Sequence, residues 1–342
     1  MRGIYKKVLI SILISLTIIA IFQMLFSKNF NIFSVFKFPI KILSINLLFL
    51  FLIYIINALR LQMMLKFFGF KLPFIESLKN IFFAAFFTFI TPMSIGGQPY
   101  QIYHLTKNKI KGTDATNIVI SKTLEISFVI LFLDLIFIKS VLKIMPKSFG
   151  LSIVLIGFFV GLAISFAIFL NFVNRKILKK FLFFFKKIFK LKFTEQEVND
   201  WINNLQESIK ILWLKNPWLL FIDMLLYFLT LLLYNSILFL IVKTYVPKEI
   251  SFFSLLGIFV MMNTVAYYIP TPGSSGGIEG TYQIVFSELF GPSIAINIIT
   301  IYRFVTFYVI LLLGTIFFTI SNRNYIMNLE NGGENNVDNK GH

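Results

Sequence analysis

The chain has 342 residues, of which 57% are hydrophobic and 14% charged, with a mean hydropathy of +0.83 and a formal net charge of +17. It has no Cys, and its His residues are His104 and His342, so disulfides, thiolate chemistry and a histidine metal centre are excluded. Long Phe-, Ile- and Leu-rich runs without two-residue alternation exclude a soluble domain and a membrane barrel, and point to an all-α polytopic integral membrane protein.

A basic start (Arg2, Lys6, Lys7) leads into an apolar run over 8–26. No small-residue cleavage site follows, which predicts an uncleaved first span. Further apolar segments cover 40–59, 78–90, 115–138, 150–172, 217–242, 251–269 and 292–320, giving about eight hydrophobic helices. Segment 78–90 is too short to cross alone and predicts one arm of a re-entrant hairpin, with 98–106 as the return arm. Segment 251–269 is long enough to cross alone but holds a comparable place.

Over 174–192, Lys residues mix with Ile177, Leu178, Phe181 and Phe185, the pattern of an amphipathic helix anchored on anionic headgroups. Thr194 and Glu197 have capping-box spacing for a more polar helix, and Pro217 opens the next span. The Asn/Gly/Glu-rich tail 321–342 predicts disorder.

Lysines concentrate at the N-terminus and in the loops near 60–79, 107–111 and 175–192. The positive-inside bias places these on the cytoplasmic side of an inner membrane, with both termini cytoplasmic. Charge distributed this way suits anionic lipid headgroups as partners and argues against nucleic acid. The segments 40–138 and 217–320 then run as inverted repeats, each with a Pro/Gly-broken hairpin, joined by the basic segment 174–215. Such repeats place a site near the midplane at their interface.

The breaks themselves repeat. Residues 91–97 read T-P-M-S-I-G-G and 271–277 read T-P-G-S-S-G-G. Thr91, Pro92, Ser94, Gly96 and Gly97 match Thr271, Pro272, Ser274, Gly276 and Gly277, with Pro270 and Gly273 adding to the second copy. Irregular backbone at bilayer depth persists only where protein or a polar cavity supports it. Gly-Gly pairs before a helix N-terminus also expose N–H groups that suit a phosphate.

Charges within spans need a reason, since each costs roughly 2.5–3.5 kcal/mol on insertion scales. Lys122 and Glu125 lie on one face of the segment 115–138, and Arg303 lies mid-way along 292–320. Glu125 and Arg303 fall at comparable distances behind Thr91 and Thr271, which nominates them as a pair. The pair is either purely structural, or Arg303 grips an anionic headgroup while Glu125 balances it or carries a proton. Glu279 is expected to cap the return helix or to gate it. Asp134 and Asp223 are expected to face headgroups near span ends, Arg60 to snorkel, and His104 to be a polar loop residue.

The same residues carry a family resemblance. T-P-M-S-I-G-G-Q-P-Y with an acidic residue in the next span, then P-T-P-G-S-S-G-G-I-E-G with Tyr302-Arg303 downstream, resembles the flippase-like lysylphosphatidylglycerol synthase transmembrane family. Members commonly show P-x-P-G-G-x-G-x-x-E; Pro270, Pro272, Gly273, Gly276 and Glu279 match, while Ser274 replaces a usual Gly. An Arg often adjoins the middle-span acid in the family, where this chain has Ile126. The resemblance implies translocation of an anionic or aminoacylated phospholipid, or a polyprenyl-phosphate carrier. Arg303, Glu125, Lys122, Tyr302 and Glu279 would then meet the headgroup. No cofactor, metal or catalytic residue is implied, and homo-oligomerisation stays open. Family synthases add a soluble domain that transfers lysine from aminoacyl-tRNA. This chain ends shortly after its last apolar segment, so no such enzyme activity is expected. A secondary transporter of a small polar solute and a non-transporting assembly protein are the alternatives.

Overall fold

The computed structural model describes residues 2–26, 38–91, 94, 96–144, 149–174, 176–180, 183, 194–247, 250–267 and 271–320. Most of the predicted interfacial helix 174–192, Pro92, Pro270 and the tail 321–342 lie outside them. No strand occurs among the described residues.

The helices are α1 (Arg2–Phe26), α2 (Ile40–Phe67), α3 (Phe74–Ile90), α4 (Gly97–Lys107), α5 (Gly112–Ile144) and α6 (Phe149–Val173). They continue with α7 (Glu195–Trp213), α8 (Pro217–Tyr245), α9 (Phe252–Tyr267), α10 (Gly277–Phe290) and α11 (Pro292–Ile320). This exceeds the eight apolar segments because the hairpin return arms and the polar α7 are elements of their own. Among the described residues three helices, α2, α8 and α11, are each long and apolar enough to cross a membrane, so the protein is multi-pass. Thr194 caps α7 as its spacing predicts. Its Oγ1 accepts from the Glu197 N–H at 3.2 Å, and Glu197 Oε2 accepts from the Thr194 N–H at 2.7 Å. The apolar stripe of α7 (Val198, Ile202, Leu205, Ile209, Leu212) is buried, as a 3.6-residue period requires.

Two copies of one element order, long helix, short arm, break, short arm and long helix, run through α2–α5 and α8–α11. The copies are inverted. Arg60, near the end of α2, bonds Asp223, near the start of α8. Phe38, just before α2, packs on Tyr245 at the end of α8 with ring centroids 6.0 Å apart. Those contacts make α2 and α8 antiparallel, so α3 and α9 enter from opposite faces. Their arms of 17 and 16 residues reach about 25 Å, short of a ~30 Å hydrocarbon core.

The tips meet between the faces. Ser94 Oγ lies 3.4 Å from Ser274 Oγ. A Cβ on Gly273 would stand 3.2 Å from the Phe89 carbonyl oxygen of the other hairpin. The two breaks also share one backbone shape. Ser94 and Ser274 have φ of 55° and 50°, and each N–H donates to the preceding motif Thr carbonyl at 3.2 Å. Positive φ is uncommon outside glycine, so its recurrence at matching positions marks a structural repeat.

α1 lies against α11. Tyr5 and Thr319 share a 2.8 Å hydrogen bond near one end, and Tyr308 donates to Ser15 at 2.8 Å further in. The start of α1 and the end of α11 therefore share a face.

Three charged residues depart from expectation. Arg60, Asp134 and Asp223 have no exposed surface, whereas headgroup contact or snorkelling was expected. The bundle supplies partners for all three, and α2 continues beyond Arg60 to Phe67. His104 likewise belongs to α4, with its ring beside Asn80 and Glu76.

The first hairpin depends on close approach of its arms. A Cβ on Gly97 would fall 2.2 Å from Thr88 Oγ1 and 2.9 Å from the Ala84 carbonyl oxygen, whereas one on Gly280 would meet nothing within 4 Å. Gly97→Ala should therefore cost about 1–3 kcal/mol, and Gly280→Ala should be neutral or mildly stabilising. Thermal unfolding of the two variants in detergent checks this contrast.

Candidate functional site

The site is built on the second break. Gly273 and Gly276 hold φ of 59° and 87°, turning the chain sharply before α10. At Gly273 no side chain fits, because a Cβ would lie 2.4 Å from the Phe307 ring. Thr271 Oγ1 donates to the Ser275 carbonyl at 2.5 Å, closing the loop. Gly277 is buried as the first residue of α10.

Glu279 occupies the first turn of α10, where a carboxylate suits the positive helix end. Its Oε2 accepts from the Gly276 N–H at 2.7 Å, and its Oε1 accepts from Ser15 Oγ at 2.6 Å and Arg303 Nε at 2.8 Å. Both oxygens are engaged, so Glu279 is a cap and a counter-ion. Arg303 Nη2 also donates to Ser275 Oγ at 2.9 Å, and its Cζ sits 3.9 Å from the centroid of the Phe307 ring. The guanidinium thus ties α11 to the broken segment at two points, Glu279 and Ser275, while remaining 2% exposed.

α11 loosens where it does this. Residues Phe304–Tyr308 form a π-helical turn directly after Arg303. Such turns are rare and recur at functional sites because the extra residue re-aims neighbouring side chains. Tyr302, predicted for the site, is buried and stacks on Tyr282 with centroids 5.4 Å apart, and Asn263 Nδ2 donates to Tyr282 Oη at 3.1 Å.

The first break is simpler. Thr91 Oγ1 donates to the Phe87 carbonyl at 2.7 Å and accepts from the Gly96 N–H at 2.9 Å, and Gly97 is buried against Thr88. Pro99 stands where the second copy has Glu279, so this break carries no matching carboxylate.

Between the tips lies a cavity of about 150 Å³. Its polar lining comes from both repeats: Thr88 and Ser94 from the first, and Tyr227, Tyr234, Asn263, Ser274, Tyr302, Arg303 and Thr306 from the second. Phe89, Ile130, Leu231, Phe259 and Ile278 make most of its wall apolar, and the hydroxyls, phenols and one guanidinium form a polar patch on it that suits an anionic or strongly polar group.

The expected Glu125–Arg303 pair does not form. Arg303 pairs with Glu279, which lies on the same hairpin and is held in reach by the Gly276 cap. Glu125 belongs instead to a second buried charged group between α2, α5 and α8. There Arg60 grips Asp223 through two parallel bonds, Nε–Oδ1 at 3.0 Å and Nη2–Oδ2 at 2.5 Å, and donates to Asn57 Oδ1 at 2.8 Å. Asp223, Arg60 and Lys122 are the charged neighbours of Glu125. The two groups share a wall, because Tyr227 lines the cavity while its ring centroid lies 5.0 Å from Arg60 Cζ.

Ser15, Ser275, Phe307, Tyr308, Arg60 and Asp223 were not singled out for the site from sequence. Ser15 sits in the largely apolar first span, one turn after the buried Ser11, and that is the only local signal it offers.

The family described as the lysylphosphatidylglycerol synthase TM region matches residues 8–314. No curated protein matches the chain.

Removing one partner of the Arg303–Glu279 pair strands the other out of water. Arg303→Ala or Glu279→Ala should each cost about 3–5 kcal/mol, with partial recovery in the double variant. The same cycle run on Arg303 and Glu125 should be additive within about 0.5 kcal/mol. Thermal or denaturant unfolding of the two sets of variants measures both couplings.

Proposed function

The chain belongs to the lysylphosphatidylglycerol synthase transmembrane family, and from that membership and the geometry of its two breaks we propose that it is a lipid translocase of the inner membrane. Its cargo is an anionic or aminoacylated phospholipid, or a polyprenyl-phosphate carrier. The observation that carries this reading is the meeting of two oppositely inserted broken hairpins around a cavity that holds a buried guanidinium. Inverted halves with their irregular backbone at the interface are the arrangement from which one half rocks against the other. A guanidinium offers the planar donor fork that suits a phosphate.

A second feature favours lipid over a small solute. An apolar groove of about 780 Å³ runs along α2, α3 and α11, lined by residues such as Leu47, Phe51, Phe82, Leu313 and Phe317, with Tyr54 and Lys79 as its polar members. Such a lining suits acyl chains, while the polar patch around Arg303 in the central cavity suits a headgroup. In this reading the residues bind and reorient lipid and make no covalent bond, so the activity is transport without catalysis.

Liposomes containing fluorescent phosphatidylglycerol or an aminoacylated analogue test the proposal. Wild-type protein should render the inner-leaflet label accessible to an external quencher. Arg303→Lys keeps the charge and loses the fork, so it should stay folded and lose most of the translocation. Unchanged translocation by a folded Arg303→Lys protein would contradict the headgroup role.

A further inference from the structure

We infer that Glu125 and Asp223 form a proton-binding site, and that release of this proton is coupled to the rocking of the two halves. The coupling rests on the translocase reading; the proton site does not. Glu125 has no exposed surface, and neither of its carboxyl oxygens meets a donor. The neighbouring acid is Asp223, on α8. Arg60, on α2, occupies both oxygens of Asp223, which fixes Asp223 as the anion of the pair. Two carboxylates facing each other without water repel strongly, and a single shared proton removes the conflict. Glu125, whose oxygens have no hydrogen-bond partner, is the member that holds it.

The surroundings supply the alternative state. Lys122 stands three residues before Glu125 on α5, is 8% exposed, and its Nζ has no hydrogen-bond partner. Side chains three apart share one helix face. On release the Oε–H bond breaks, its electron pair stays on Glu125, and the proton passes to water. The new carboxylate then turns from Asp223 to Lys122. That exchange replaces a contact between α5 and α8 with one inside α5, so it loosens the first half from the second. Tyr227 transmits the change, since it packs on Arg60 and walls the central cavity. Intramembrane carboxyls that pair in this way mark proton pathways in pumps and transporters.

The test uses the full chain reconstituted in phosphatidylethanolamine–phosphatidylglycerol vesicles. Infrared difference spectra taken from neutral to alkaline pH should show loss of a protonated-carboxyl C=O stretch. That signal should vanish in Glu125→Gln. It should persist in Asp134→Asn, which alters the buried acid that accepts from Thr264 elsewhere on α5. Lys122→Met keeps Glu125 and removes the cation that receives it, so the loss should move to higher pH. An unchanged signal in Glu125→Gln, or no shift in Lys122→Met, would overturn the proton site. An imposed pH gradient should accelerate fluorescent phosphatidylglycerol translocation by wild-type protein. Translocation indifferent to the gradient would overturn the coupling. A protein that shows the Glu125 signal but moves no lipid would uphold the site and contradict the translocase reading instead.

Discussion

The structure depends on how a broken backbone is satisfied away from water. Hydrocarbon offers no hydrogen bonds, so every N–H and C=O freed by a Pro/Gly break needs a protein partner. In the second hairpin, Glu279 supplies one by accepting from the Gly276 N–H. That places a carboxylate inside the bundle, and Arg303 answers it. Ser15 and Ser275 take up further bonding capacity on the carboxylate and guanidinium, which is why α1 and α11 close around this tip. In the first hairpin a threonine hydroxyl serves the same purpose without charge, since Thr91 accepts from the Gly96 N–H. One repeat therefore holds its break with a neutral cap and the other with an ion pair. The fold keeps its internal symmetry while the site becomes one-sided.

Much of the architecture was legible in the sequence because it follows from local rules. The duplicated Thr-Pro-x-Ser-x-Gly-Gly phrase gave two breaks, and the short segment 78–90 made one of them re-entrant. Thr194 and Glu197 announced the start of α7 by spacing alone. The pairing of buried charges was not legible, and the reason is physical. Residue spacing behind each break suggested that Glu125 answers Arg303, but pairing is decided by which helix faces meet. Glu279 was already in reach across one turn of its own hairpin. Arg60 looked like a span end because α2 turns polar there; the helix continues for two turns, and Asp223 arrives from the antiparallel α8. Long-range antiparallel register leaves no local trace in sequence. The π-turn after Arg303 left none either, since Phe304–Tyr308 is ordinary helical sequence.

The two buried charged groups divide the work by position and chemistry. Arg303 and Glu279 belong to the second repeat alone and are held in place by hydrogen bonds to each other and to Ser275, Gly276 and Ser15, which suits a fixed binding surface. The group around Glu125 spans both repeats and leaves Lys122 and Glu125 without hydrogen-bond partners, which suits a site that changes state. Tyr227 stands between them, so a change in one reaches the wall of the other.

The central claim is that two hairpins inserted from opposite faces touch at their tips and that transport requires them to part. The native chain has no Cys, so Ser94→Cys with Ser274→Cys gives a cross-linking pair without background. Their hydroxyl oxygens lie 3.4 Å apart. Mild oxidation in the membrane should join them rapidly, halt translocation, and release it again on reduction. If both cysteines react with a small permeant thiol reagent yet never cross-link, the hairpins do not meet and the account fails.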